Sequence, residues 1–168
     1  MDVLALDVLP GLAIGVVSMI LLVIYYASRP HMAVLARAPG RPGVYGDVER
    51  HPDYERIPGV LILRLEGPFF YANAAPVRDR IKYLVGAADP TPSVVIVEGG
   101  AVAWLDITSA DMLLQLARLL HSAGIDLLLV DWRRPVVDLA RRAGVVDELG
   151  PDKIFRTVDE ALTARAPR

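Results

Sequence analysis

The chain has 168 residues, of which 54% are hydrophobic and 23% are charged, with a formal net charge of -2 and no cysteine. This length suits one domain with a short additional segment. The lack of cysteine excludes disulfides, thiolate metal ligands and a cysteine nucleophile, and the small net charge gives no general attraction to nucleic acid.

The first segment predicted along the chain is a membrane-spanning helix within residues 1–29. No charged residue lies between Asp7 and Arg29, and the run 8–28 is almost wholly apolar. About 20 apolar residues cross the roughly 30 Å hydrocarbon layer as a helix. A secretory signal peptide would begin with basic residues and have a shorter apolar core, whereas this start is acidic and basic residues follow the run.

The residues that flank this helix predict its orientation. Arg29, Arg37 and Arg41 follow the apolar run, and no Arg or Lys precedes it. Because positive flanks remain on the cytoplasmic side, we expect a single-pass protein of the inner (plasma) membrane with a cytoplasmic C-terminal domain. Within the helix, Gly11 and Gly15 form a GxxxG pair, which predicts a face for docking against another helix.

The segment 30–56 has the composition of a linker. Proline and glycine recur within it or directly before it, in the sequences Arg-Pro, Ala-Pro-Gly, Arg-Pro-Gly and His-Pro. Proline and glycine oppose the interiors of both helices and strands. We therefore expect a loop-like tether with one short strand near Val44 and Tyr45.

Residues 57–168 carry the alternating pattern of an α/β domain. Apolar runs predict strands at 60–65, 69–72, 94–97, 127–130 and 154–158. Apolar residues at helical spacing predict four helices. They begin at a capping Asn73, within 106–109, at 135 and at 159. Gly124 is predicted to end the helix that begins within 106–109, and Gly144 the helix that begins at 135. This alternation predicts a central, mostly parallel or mixed sheet of about four to five strands with helices packed on it.

Three stretches together resemble one known family. They are SRPHMAVLARAPGRPGVYGD (28–47), IPGVLILRLEGPFFYANA (57–74) and WLDITSADMLLQLARLLHSAGIDLLLVDWRRPVVDLARRAGVVDELGPDKIFRTVDEA (104–161). In this order they are similar to the C-terminal end of a SulP-type anion (sulfate) permease, whose last transmembrane helix leads into a cytoplasmic STAS domain. The STAS fold is shared with bacterial anti-sigma-factor antagonists. Leu35-Ala36-Arg37 departs mildly from the family's usual Leu-Gly-Arg.

The resemblance implies a regulatory and interaction module that lacks a transport core. SulP permeases have over a dozen spanning helices and hold the anion in the earlier ones, whereas one span cannot enclose a polar anion by itself. The resemblance therefore implies the regulatory end of a permease. Three forms of such an end stay open for this chain: a truncated reading frame, a subunit of a split permease and a free membrane-tethered STAS protein.

Two other functions stay open. The first is a stand-alone membrane-tethered regulator that resembles anti-sigma-factor antagonists, and the second is a nucleotide-binding α/β domain. Against the second, Glu98-Gly99-Gly100 follows a strand but lacks the Lys and Ser/Thr of a phosphate-binding loop and predicts a plain turn. We expect no enzymatic activity, cofactor, metal or nucleic acid. The expected partners are the membrane and a protein, either the rest of a permease or a signalling protein, and a homo-oligomer stays open.

The candidate regulatory site comprises Asp106, Thr108, Ser109 and Asp111. It lies at a predicted helix N-terminus, where unpaired N–H groups and the helix dipole favour anions. Thr108 or Ser109 is the expected cap, and Thr108 with Asp111 resembles a capping box with Asp in place of Glu. The resemblance further implies that Asp106 and Thr108 match the aspartate and the phosphorylatable hydroxyl of anti-sigma-factor antagonists, with Ser109 where glycine is usual. A helix cap alone and a regulated hydroxyl are the two interpretations.

Trp132 follows the predicted strand 127–130 among charged residues. A tryptophan at a strand end suits a protein interface, whereas the neighbouring charges suit a solvated rim. Both interpretations stay open from the sequence.

Overall fold

The computed structural model describes residues 3–27 and 31–165. Its strands are β1 (His31–Arg37), β2 (Tyr45–Asp47), β3 (Val60–Glu66), β4 (Val94–Glu98), β5 (Asp126–Val130) and β6 (Ile154–Phe155). They form one mixed sheet in the order β2-β1-β3-β4-β5-β6, in which β1 pairs antiparallel with β2 and β3, and β3 to β6 are parallel. The predicted α/β fold with a mixed sheet is confirmed, with slightly more strands than expected.

The helices are α1 (Val3–Ala27), α2 (Tyr71–Ala87), α3 (Ile107–Ser122), α4 (Arg134–Arg142), α5 (Val145–Leu149) and α6 (Val158–Arg165). Buried residues of α2 to α5 pack on one face of the sheet, and those of α6 pack on the other. The predicted ends near Gly124 and Gly144 are confirmed. The pattern does not predict α5, and it makes β6 too long.

The central strands are apolar on both sides because both sides are covered. Leu63 and Val97 point toward the α2–α5 layer, whereas Ile62 and Ile96 point toward α6. All four side chains are buried. A continuous apolar run is typical of such doubly covered parallel strands, which is why the sequence pattern locates β3, β4 and β5 within about a residue.

Part of the expected linker belongs to the sheet. β2 confirms the short strand near Val44 and Tyr45, but the loop-like description of residues 31–37 is wrong. The proline and glycine residues flank β1 and do not interrupt it, so its backbone pairs with β3 from His31 to Leu35. Burial of Ala33 and Leu35 against the α6 side of the sheet stabilises this pairing.

The chain enters α2 earlier than its apolar pattern predicts. Residues 69–72 do not form a strand, and Asn73 is not the cap, because α2 already begins at Tyr71. The fully buried Asn73 side chain accepts a hydrogen bond from the Phe70 N–H at 3.0 Å and donates one to the Pro68 carbonyl at 2.8 Å. These two bonds hold the turn from which the helix starts.

Candidate functional site

The candidate regulatory residues lie at the edge of the sheet where the parallel strands end. The Asp106 carboxylate oxygen Oδ1 accepts hydrogen bonds from the Ser109 N–H at 2.8 Å and from the Ser109 hydroxyl at 2.7 Å. Asp106 therefore caps α3. We predicted Thr108 or Ser109 as the cap and a capping box with Asp111. This prediction is wrong, because α3 begins at Ile107 and the Asp106 carboxylate accepts the hydrogen bond from the Ser109 N–H.

Asp106 also joins the starts of two helices. Its other oxygen, Oδ2, accepts a hydrogen bond at 2.8 Å from the N–H of Tyr71, the first residue of α2. Beside it, Phe69 and Leu105 form a parallel β-bridge. One carboxylate thus satisfies an otherwise unpaired N–H at each helix start and ties together the two loops that leave β3 and β4.

The environment of Asp106 favours its charged form. Partial burial by itself would raise the pKa of this carboxyl, but the hydrogen bonds from Ser109 and Tyr71 together outweigh burial and hold the pKa below its ordinary value of 3.8. The stability that the carboxylate supplies is therefore complete above its unfolded-state pKa. It is lost only as the pH falls through the lower folded-state pKa.

The two hydroxyls of the candidate site differ in accessibility. The Ser109 side chain is fully buried and donates to Asp106, whereas Thr108 is exposed on the first turn of α3. Asp111 is also exposed, one turn further along. The fold thus brings the predicted residues together but commits Asp106 and Ser109 to the helix start, and it leaves Thr108 and Asp111 facing outward.

An exposed apolar surface beside this site was not predicted. It consists of Tyr71, Trp104 and Ile107, which are 69%, 50% and 68% exposed. The Phe70 ring lies between two of them, with its centroid 5.6 Å from those of Tyr71 and Trp104. We call Tyr71, Trp104 and Ile107 the aromatic surface. The available signal was that these side chains fall at two helix starts and in the loop before the second, outside the apolar stripes of the helices.

We expect Asp106→Ala to lower the free energy of unfolding by about 1–3 kcal/mol, because an N-cap is worth about 0.5–2 kcal/mol and the Tyr71 N–H loses its partner as well. Thermal unfolding of the full chain in detergent micelles, followed by circular dichroism, measures this change. The matched control is Asp111→Ala, which removes an exposed carboxylate from the same helix and should change stability by less than about 0.5 kcal/mol. The difference between wild type and Asp106→Ala should shrink below pH 3.8. Equal losses for the two variants would contradict the capping role.

Trp132 is a packing residue, and the interpretation of it as an interface residue is wrong. It is 8% exposed, and its indole Nε1–H donates a hydrogen bond to the Val97 carbonyl at 2.9 Å. The ring lies so close to Gly99 that a Cβ there would be 2.6 Å from indole atoms. Glycine at this position is therefore required by the tryptophan, while the neighbouring Arg133 and Arg134 are exposed.

The turn at Glu98-Gly99-Gly100 does not have the geometry of a phosphate-binding loop. The Gly99 N–H donates to the Val130 carbonyl at 2.9 Å and so belongs to the sheet. A side-chain carbon at Gly100 would meet the Asp131 carboxylate. A committed N–H and a nearby negative charge both disfavour a phosphate group, so the turn gives no support to nucleotide binding.

Helix α1 has the length and composition of a membrane span. Residues 8–26 have a mean hydropathy of 2.5, and none of this stretch is buried against the rest of the described chain. Apart from the adjacent residues and backbone of the helix itself, no described atom lies within 4 Å of the place where a Cβ would stand at Gly11 or Gly15. Both glycines therefore leave room for close approach of another helix, and helix docking there stays a prediction.

Known proteins are similar to this chain over both the apolar helix and the α/β domain. The STAS domain family matches residues 51–161. Sulfate transporter 1.3 of Arabidopsis thaliana is 31% identical over 166 residues, which cover 94% of this chain and 25% of the transporter. The SulP transporter STAS domain of Vibrio cholerae is 26% identical with a TM-score of 0.55, over 70% of this chain and 88% of that structure. The murine anion transporter Slc26a9 shares the fold at 23% identity with a TM-score of 0.81, over 94% of this chain and 26% of that one.

The resemblance to SulP-type permeases is confirmed by these matches. The chain spans about a quarter of the length of the sulfate transporters that it matches. The match to the STAS family covers most of the chain, from the loop before β3 into α6. This chain belongs to the STAS domain family and is related to the STAS domains of SulP-type sulfate transporters.

Proposed function

We propose that this chain is the regulatory STAS end of a sulfate-type anion permease, anchored in the inner membrane by α1 with its domain in the cytoplasm. One observation carries the proposal. The similarity to a sulfate transporter covers 94% of the chain, so it extends upstream of the STAS match at residue 51 and into the apolar helix. A relationship confined to the soluble domain would end before the helix. This coverage supports a shared unit in which an apolar helix is followed by a STAS domain.

The proposed mode of action is contact with another protein, without catalysis. Two carboxylates of this edge are already engaged, since Asp106 caps α3 and Glu98 at the end of β4 forms an ion pair with Arg64. Thr108 is the accessible hydroxyl of the candidate site. A phosphate there would add about 1.5–2 negative charges near Asp106 and Asp111, which the helix dipole favours and the two carboxylates oppose. Thr108 is thus suited to control a docking surface electrostatically.

A chimaera tests the permease role. We expect that Arabidopsis sulfate transporter 1.3, with its aligned C-terminal quarter replaced by this chain, keeps sulfate uptake within about tenfold of the parent. This corresponds to a loss of about 1.4 kcal/mol, at the lower end of the usual range of regulatory coupling. The transporter truncated by that quarter is the control, and it should lose uptake. Radiolabelled sulfate uptake is measured per molecule that reaches the membrane. A chimaera present in normal amount but as inactive as the truncation would contradict the proposal and favour the stand-alone regulator.

The same chimaera tests the switch at Thr108. We expect Thr108→Glu to change uptake about five- to tenfold relative to Thr108→Ala, because the added charge acts where the domain meets its partner. Both substitutions are at an exposed position, so the amount of protein in the membrane should be equal. Identical uptake by the two variants, together with an unmodified Thr108 peptide in the mass spectrum of native protein, would contradict a regulated hydroxyl.

A further inference from the structure

The chain leaves the membrane segment at the edge of the sheet that carries the candidate site. β1 begins at His31, which pairs with Glu66 at the end of β3. β1 is antiparallel to β3, and β3 is parallel to β4 and β5. The start of β1 therefore lies at the same edge as the ends of those three strands. The loops that hold Phe70 and Trp104 leave from this edge.

The connection between the span and this edge is short. Helix α1 reaches Ala27, and β1 begins at His31. An extended chain covers at most about 3.6 Å per residue, so these two residues are no more than roughly 14 Å apart. If α1 spans the bilayer, this edge of the domain therefore lies close to the bilayer.

The side chains on this edge suit a lipid headgroup layer. The aromatic surface presents a tyrosine, a tryptophan and an isoleucine, and tyrosine and tryptophan favour membrane interfaces because one end of the ring system is apolar and the other is polar. The surface itself carries no charge. Exposed charges of both signs lie elsewhere on the edge, with Glu66 at the end of β3 and Arg133 after β5.

The aromatic surface is also held in one arrangement. Asp106 accepts hydrogen bonds from the backbones of Tyr71 and Ser109, and Phe69 bridges Leu105. The exposed side chains are therefore mounted on two joined helix starts, and docking them costs little backbone entropy.

We propose that the aromatic surface docks on the lipid headgroup layer of the membrane that α1 spans. The proposal rests on the membrane anchorage proposed above. The short tether raises the effective concentration of the membrane surface, so a few partly immersed side chains are enough to hold the domain against it. Because the surface is uncharged, zwitterionic phosphatidylcholine is a sufficient partner.

Single spin labels test this docking in the full chain, whose lack of cysteine makes each introduced thiol unique. The labelled variants are Tyr71→Cys, Trp104→Cys and Ile107→Cys, in phosphatidylcholine vesicles. The matched control is Tyr83→Cys, which is 64% exposed on the same helix as Tyr71 but about 18 Å further along it. Ile20→Cys, within α1, reports on the anchorage. Collision of each label with oxygen and with a water-soluble nickel complex is measured by power saturation.

We expect nickel collision at the three aromatic-surface positions to be about fivefold lower than at Tyr83→Cys, with oxygen collision higher, because lipid excludes the nickel complex and dissolves oxygen. Nickel collision equal to that at Tyr83→Cys, with Ile20→Cys immersed, would overturn the docking and leave the anchorage standing. A water-exposed Ile20→Cys label would overturn the anchorage itself. At the aromatic surface, the labels could instead lose collision with both oxygen and the nickel complex and show spin–spin broadening that disappears on dilution with unlabelled chain. That result would overturn the proposal and show that a second copy of the chain covers the surface.

Discussion

Trp132→Ala is expected to lower the free energy of unfolding by about 3–5 kcal/mol, the range for removing a large aromatic side chain from a core. The indole is 8% exposed, packs in the core between the sheet and the α2–α5 layer, and donates to the Val97 carbonyl. Its removal leaves a cavity beside Gly99 and an acceptor without its donor. Unfolding of the full chain in detergent micelles, followed by far-ultraviolet circular dichroism, measures the loss.

The chain supplies its own control for this prediction. Trp104 is 50% exposed, so Trp104→Ala should change the free energy of unfolding by less than about 1 kcal/mol. Trp132→Phe should lie between the two, because it keeps most of the apolar volume but removes the indole N–H. Similar stabilities for the alanine variants at 104 and 132 would show that Trp132 does not hold the sheet to the helices.

Val17→Arg is expected to remove most of the chain from the membrane fraction. Val17 lies at the middle of the apolar stretch 8–26 and is 55% exposed. Arginine at the centre of a spanning helix costs about 2.5–3.5 kcal/mol, whereas valine is mildly favourable there, so the balance shifts by about a hundredfold or more. The fraction of chain that stays with the membranes after alkaline carbonate extraction is the measured quantity.

The conservative change at the same position separates charge from any other effect. Val17→Leu keeps the apolar character and should remain in the membrane fraction to the same extent as wild type. If the arginine variant also remained fully resistant to carbonate, α1 would not be a lipid-exposed span.

Much of the fold follows from the sequence because the central strands carry a strong signal. The runs at 94–97 and 127–130 are apolar at every position, and only burial on both faces of a sheet stabilises such runs. β1 was missed although its interior residues 32–36 are also apolar, because proline and glycine residues before and after it predict a loop. It is a strand because β3 offers it a pairing edge, and that information is not local.

The candidate site was predicted in composition but not in geometry. Asp106, Thr108 and Ser109 are all good capping residues, and their order does not decide which of them caps the helix. The choice falls on Asp106 because the fold brings the Tyr71 N–H to its second oxygen. The two tryptophans illustrate the same limit. Both lie in loops between a strand and a helix, yet Trp132 is buried because Gly99 leaves space for its ring, whereas Trp104 faces outward.

The position of the domain relative to the membrane is tested most directly by labelling one cysteine in cells. Tyr83→Cys places an exposed thiol on α2 of the otherwise cysteine-free chain. We expect a membrane-impermeant maleimide to leave this thiol unlabelled in intact spheroplasts and to label it after lysis, with the chain in the carbonate-resistant membrane fraction. Labelling in intact spheroplasts, or recovery of the uncleaved chain in the soluble fraction, would contradict a STAS domain anchored by α1 at the cytoplasmic face.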